Sequence, residues 1–107
     1  MKNAIVLHGW GNSSKDNWFL WLKTELEKRG WKVWVPNLPK TDWPDVHNWD
    51  PYVLKGWDIN KDTVLIGHSA GSVEALSILG QINTKIQKAI LVSGFTDLIK
   101  EDVIETN

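Results

Sequence analysis

No cysteine occurs anywhere in the 107 residues, which removes disulfides, thiolate metal sites and cysteine nucleophiles together. No hydrophobic run approaches the roughly 20 residues needed to span a bilayer. Met1-Lys2-Asn3 leads into only four apolar residues, too few for the core of a signal peptide. An excess of one charge is also missing. The 12 basic and 13 acidic residues are interspersed for a net charge of −1, so no basic stripe could track a phosphate backbone and nucleic acid is not an expected partner. His8, His47 and His68 show no ligand spacing and the acids are scattered, so no metal is expected. The chain is expected to be soluble and cytoplasmic, without membrane attachment. It suffices for one domain and not two, and 42% hydrophobic residues support a packed core.

Tryptophan, in contrast, is abundant. All eight indoles fall within the first 57 residues. Most are expected to pack in or under the core, because an indole removes a large apolar surface from water. Trp10, Trp43 and Trp49 lie in turn-rich segments, where a place in a substrate pocket is the natural alternative.

Along the chain, strand and helix signals alternate. Ala4-Ile5-Val6-Leu7 is a continuous apolar run, as expected of a strand buried on both faces. Ser13, Ser14, Asp16 and Asn17 offer helix caps, Trp18, Leu22 and Leu26 recur at helical spacing, and Gly30 supplies a stop. Residues 31–35 read as a second strand closed by Pro36. A proline-rich loop runs from Asn37 to Asp50, and Asp50-Pro51 is expected to open a short helix to about Trp57. Residues 63–66 form a third strand. Residues 72–79 form a helix with Val73, Leu76 and Leu79 on one face. Residues 89–92 form a fourth strand before a polar tail. This alternation predicts a single α/β domain spanning residues 1–107: a parallel sheet of about four strands, order 2-1-3-4, with helices on both faces. Ligands bind such sheets beyond the carboxyl ends of the strands, at the switch point. Two loops meet there, Gly9 to Ser14 and Gly67 to Gly71.

The second loop, Gly67-His68-Ser69-Ala70-Gly71, has the form G-x-S-x-G between a strand and a helix. A sharp turn there lifts the serine hydroxyl above the sheet, and the crowding calls for glycine on both sides. Ser69 is therefore the candidate nucleophile. The backbone amides of Trp10 and Ala70 are the candidate oxyanion hole, and Gly9, Trp10 and His68 are the candidate substrate contacts. His8 and His68 each end an apolar strand, where a hydrogen-bonded structural histidine is the plainer alternative. A tight turn with a capping serine is the bland alternative to the nucleophile. Gly9-Trp10-Gly11 also suggests the start of a dinucleotide fingerprint, but Ser14 stands where the third glycine belongs and Pro36-Asn37 where a ribose-binding acid should be.

Ile5-Val6-Leu7-His8-Gly9-Trp10-Gly11, the Trp18-rich helix, Val35-Pro36-Asn37-Leu38-Pro39 and the Ser69 pentapeptide together resemble the serine hydrolases related to retinoblastoma-binding protein nine and to the bacterial YdeN proteins. The resemblance implies a compact α/β-hydrolase domain acting on small esters or related acyl compounds, with no metal or organic cofactor. It also implies an acid and a histidine after the nucleophile. Downstream of Ser69 there is no histidine, and the acids are Glu74, Asp97, Glu101, Asp102 and Glu105. Asp97 follows the fourth strand, one strand earlier than the resemblance places the acid. His47 is the remaining histidine that a loop could bring to the pocket rim. The expectation is an amino-terminal portion of such an enzyme, incomplete at its C-terminus and weak or inactive alone. Half of a split enzyme, or a non-catalytic interaction module on the same scaffold, are the alternatives. Ala89-Ile90-Leu91-Val92 would end the sheet unprotected, inviting self-association or a partner chain unless the tail covers it.

Overall fold

The computed structural model describes residues 1–93 and 102–106. Asp97 and Glu101, weighed above as acids, lie outside the described residues. The elements are β1 (Asn3–Leu7), α1 (Phe19–Lys28), β2 (Lys32–Trp34), α2 (Val46–Gly56), β3 (Thr63–His68), α3 (Ala70–Gln81), β4 (Lys88–Ser93) and β5 (Asp102–Thr106). The sheet order is β2-β1-β3-β4-β5. The first four strands are parallel, with Ile5 beside Trp34 on one side and Leu65 on the other, and Ile66 beside Ile90.

The period-two alternation of a strand sends successive side chains to opposite faces, and the core divides accordingly. Ala4, Val6, Val64 and Ile66 meet Phe19 of α1 on one face. Ile5, Leu7, Leu65, Ala89 and Leu91 meet Trp49 and Val53 of α2 and Ala75 and Ile78 of α3 on the other.

Four details depart from the sequence expectations. The segment read as a polar tail contributes β5, which pairs antiparallel with β4 so that Leu91 stands opposite Ile104. β4 is therefore not the sheet edge. Its free N–H and C=O groups are taken up by a segment whose Val103, Ile104 and Thr106 are strand-favouring types.

α1 has no side-chain cap, because Asp16 accepts instead from the Ser13 amide within the preceding turn. Its end follows expectation: Gly30 and Trp31 amides donate back to Glu27 and Leu26 carbonyls, a Schellman closure.

α2 starts one turn before Asp50-Pro51, capped by Asp45, whose carboxylate accepts from the His47 amide at 2.8 Å. Pro51 thus sits inside the helix. Burial of Trp49 and its indole hydrogen bond to the Pro39 carbonyl at 2.6 Å anchor that extra turn.

On α3, Val73 and Leu76 are exposed, whereas Glu74, Ala75 and Ile78 are buried. The inward face is the row Gly71-Glu74-Ala75-Ile78, set by the close approach of Gly71 to β1.

Candidate active site

β3 ends at His68 and α3 begins at Ala70, so Ser69 alone makes the turn, with φ 58° and ψ −122°. An L-residue held there stores on the order of 1–3 kcal/mol of backbone strain, and the surroundings hold it in place. The Ser69 amide donates to the Val92 carbonyl at 2.8 Å, and the Ser72 hydroxyl reaches the Gly67 and Val92 carbonyls, each at 3.0 Å. A Cβ on Gly71 would lie 2.1 Å from the Leu7 carbonyl oxygen, and one on Gly67 would lie 2.5 Å from that of Gly71. Only glycine allows α3 to sit this close to the sheet.

The first loop comes to the same place. A Cβ on Gly9 would lie 2.9 Å from Ser69 Cβ and 3.3 Å from its Oγ, so the Gly9 backbone rests against the serine. Among the described residues, no hydrogen bond engages Ser69 Oγ or the amides of Trp10 and Ala70. The Ala70 amide stands in the first turn of α3, at the helix end that carries partial positive charge. Partly buried Ser69, the Gly9 backbone and the start of α3 thus form one corner at the carboxyl end of the sheet.

His8 braces that corner. Its Nε2 accepts from the Leu38 amide at 2.9 Å, which leaves the proton on Nδ1, facing the Gly9 carbonyl at 3.0 Å. The ring is fully buried, and burial lowers its pKa, keeping it neutral with both nitrogens occupied. Asn37 accepts from the Ser14 amide at 2.8 Å, tying the loop after β2 to the loop after β1. His68 turns towards α1, edge-on to Trp18 and Phe19 at 5.8 Å from each ring. It does not line the cavity beside Ala70. His47 is exposed in the first turn of α2.

That cavity, about 260 Å³, is walled by Trp10, Pro44, Asp45, Val46, Trp49, Ala70 and Val73. Of the three tryptophans singled out in turn-rich segments, Trp10 and Trp49 line it, while Trp43 is exposed and takes no part. Both lining indoles are fixed by hydrogen bonds, Trp10 to the Asp42 carbonyl at 2.9 Å and Trp49 to that of Pro39.

Behind the cavity, between α2 and α3, Glu74 is fully buried next to Asp50. Asp50 Oδ2 accepts from Ser77 at 2.7 Å and Gln81 at 2.6 Å. Both Glu74 oxygens and Asp50 Oδ1 have no other partner among the described residues. Burial, then the Asp50 carboxylate, push the Glu74 pKa up from 4.5 to about 9. Protonated, Glu74 donates to Asp50, the one state in which two adjacent carboxyl groups attract. Sequence reasoning noted Glu74 only as an acid after the nucleophile; the spacing of Gly71, Glu74, Ala75 and Ile78 was the signal that it faces inward.

The serine hydrolase family profile matches residues 4–105. The chain belongs to that family. A relative, YdeN of Bacillus subtilis (strain 168), is 33% identical over 97 residues, covering 88% of this chain and 51% of its own. The crystal structure of the B. subtilis ydeN gene product superposes with a TM-score of 0.79 at 32% identity, over 89% of this chain and 53% of that one. An extracellular α/β-hydrolase from a Paenibacillus species superposes with a TM-score of 0.69 at 19% identity, over 85% of this chain and 40% of that one, a likeness of fold. The chain therefore has the α/β-hydrolase fold, and it spans about half the length of the YdeN relative. Among the described residues, no helix is long and apolar enough to cross a membrane.

Proposed function

We propose that Ser69 is the nucleophile for hydrolysis of small esters, with the Trp10 and Ala70 amides as the oxyanion hole. Kinship with retinoblastoma-binding protein nine belongs to the same proposal. One observation carries it: Ser69 occupies a strained single-residue turn, its hydroxyl engaged by no hydrogen bond among the described residues and the Gly9 backbone against it.

In the reaction, Ser69 Oγ attacks the ester carbonyl carbon and loses its proton to a general base. The carbonyl oxygen becomes an oxyanion facing the two amides. Collapse expels the alcohol, which takes the proton back, and leaves an acyl-serine that water then cleaves by the same route. The base must be a group within hydrogen-bond reach of Oγ. His8 is buried with both nitrogens engaged, His68 packs against α1, and His47 is exposed on α2. The triad histidine and acid are accordingly proposed to come from polypeptide beyond these 107 residues, whether continuous or a second chain.

The test is turnover of 4-nitrophenyl acetate by this chain alone and by the chain joined to the remaining half of a YdeN-type hydrolase. Loss of a triad base lowers turnover by about 10⁶, leaving roughly 10³–10⁴ over water from binding and the oxyanion hole. The joined protein should be active and lose that activity on Ser69→Ala, with the chain alone near background. Activity that survives Ser69→Ala would remove the serine from the mechanism. Efficient turnover by the chain alone, abolished by His47→Ala, would make His47 the base. Inactivity of every form, with the fold intact, would favour a binding module on a hydrolase scaffold.

A further inference from the structure

The geometry points to a neutral, apolar acyl group, about the size of a phenyl ring on a short linker, as the part of the substrate held between Trp10 and Val73. This assignment rests on Ser69 as the nucleophile and adds which esters it cleaves. The cavity contains Trp10 and Ala70, the two residues whose free amides would hold the oxyanion, so a carbonyl seated there has its acyl substituent directed along the cavity walls. Apart from Asp45, those walls are indole, proline and aliphatic carbon. Trp49 is almost completely buried, is held at Nε1 by Pro39 and meets the edge of His8 at 6.1 Å, so the floor is rigid.

Size follows from the volume. A dry cavity of about 150 Å³ accepts benzene. The 260 Å³ here leaves room for a ring and a few further carbons, and far exceeds what an acetyl group fills. Charge follows from Asp45. Among the described residues it is the one charged side chain on the wall, and none of them there is a lysine or arginine. Its carboxylate is occupied in capping α2. An anionic acyl chain would meet that carboxylate in an apolar cleft with no counter-charge among the described residues, which disfavours it.

The binding test uses the unreactive Ser69→Ala chain, with the indole N–H signals of Trp10 and Trp49 followed by NMR. Titration with 3-phenylpropanamide should shift both signals saturably. Succinamate, an anionic amide, should bind at least ten-fold more weakly, and Asp45→Asn should narrow that gap. Val73→Trp, or Val46→Trp if the first variant fails to fold, should fill the cavity and weaken the phenyl probe at least ten-fold. The assignment is overturned if neither indole responds, if both probes bind alike, or if filling the cavity leaves affinity unchanged. In the joined protein, Val73→Trp should raise KM for 4-nitrophenyl 3-phenylpropanoate at least ten-fold more than for 4-nitrophenyl acetate. Equal effects on both would place the shared leaving group in the cavity instead. Binding in a Ser69→Ala background is independent of the nucleophile, so the pocket and the serine can fail separately.

Discussion

The two faces of the sheet are built on different terms. Against α1, Ala4, Val6, Val64 and Ile66 meet Phe19 in an apolar layer, with the His68 ring at its edge. Against α2 and α3, an equally apolar floor carries a buried carboxyl group, Glu74, together with the cavity and the strained turn at Ser69. The first face is packing alone, whereas the second buries the larger apolar cluster and also carries the proposed nucleophile, with its local costs. Natural proteins tolerate such local conflicts where function requires them.

The largest separation of the two faces should come from Phe19→Ala. Phe19 is fully buried, and truncating a buried phenylalanine costs roughly 3–5 kcal/mol through lost transfer energy and the cavity left behind. Denaturant unfolding at pH 7 should show this loss. A loss below 1 kcal/mol would mean that packing against α1 contributes little to stability.

Glu74→Gln should have an effect of opposite sign and strong pH dependence. In the folded chain Glu74 keeps its proton up to about 9, whereas unfolded it releases it above 4.5. Between those values the folded state binds more protons, so the parent loses stability as pH rises, by about 1.4 kcal/mol per unit at most. By pH 7 the difference amounts to roughly 3 kcal/mol. The glutamine variant, with an amide donor towards Asp50, should escape this loss and be the more stable protein at pH 7–9. Its advantage should vanish near pH 4.5. His8 acts in the other sense: with its pKa lowered by burial, the unfolded chain takes up a proton below about 6.5 that the fold refuses. Comparing parent with variant cancels that contribution. Parallel profiles for the two proteins from pH 5 to 9 would show that Glu74 is not a buried neutral acid.

The smallest effect concerns the helix that bridges the two functions of the second face. Asp45 caps α2 through the His47 amide, and its replacement by alanine should cost about 1 kcal/mol. If thermal unfolding shows no loss, the first turn of α2 is held by Trp49 alone.

Much of this division was legible in the sequence. Apolar runs at residues 4–7, 64–66 and 89–92 identified the buried strands, and the alternation with helical periodicity implied the 2-1-3-4 order. The Ser69 pentapeptide and the loop after His8 pointed to the corner where the structure brings Gly9 and Ser69 together. What sequence missed had tertiary causes. Asp50-Pro51 looked like a helix start because a first-turn proline is common, but burial of Trp49 extends α2 backward past it. Val73, Leu76 and Leu79 read as one apolar face of α3, yet Gly71 against the Leu7 carbonyl sets the rotation of that helix, exposes Val73 and Leu76 and turns Glu74 inward. The segment read as a tail forms β5, because an unpaired edge strand is a template whose influence local propensity does not record.

The anchoring of Ser69 has a consequence for the order of assembly. Its amide is held by Val92 on β4, and the glycine that follows presses on Leu7 of β1, so the turn is closed by segments far apart in the chain. Contacts between distant segments form only after the loop-closure entropy between them has been overcome. The strained turn therefore belongs to the late stages of folding: Ser69 takes up its conformation when the sheet around it is already in register, and it should be among the first parts to relax when that register is lost.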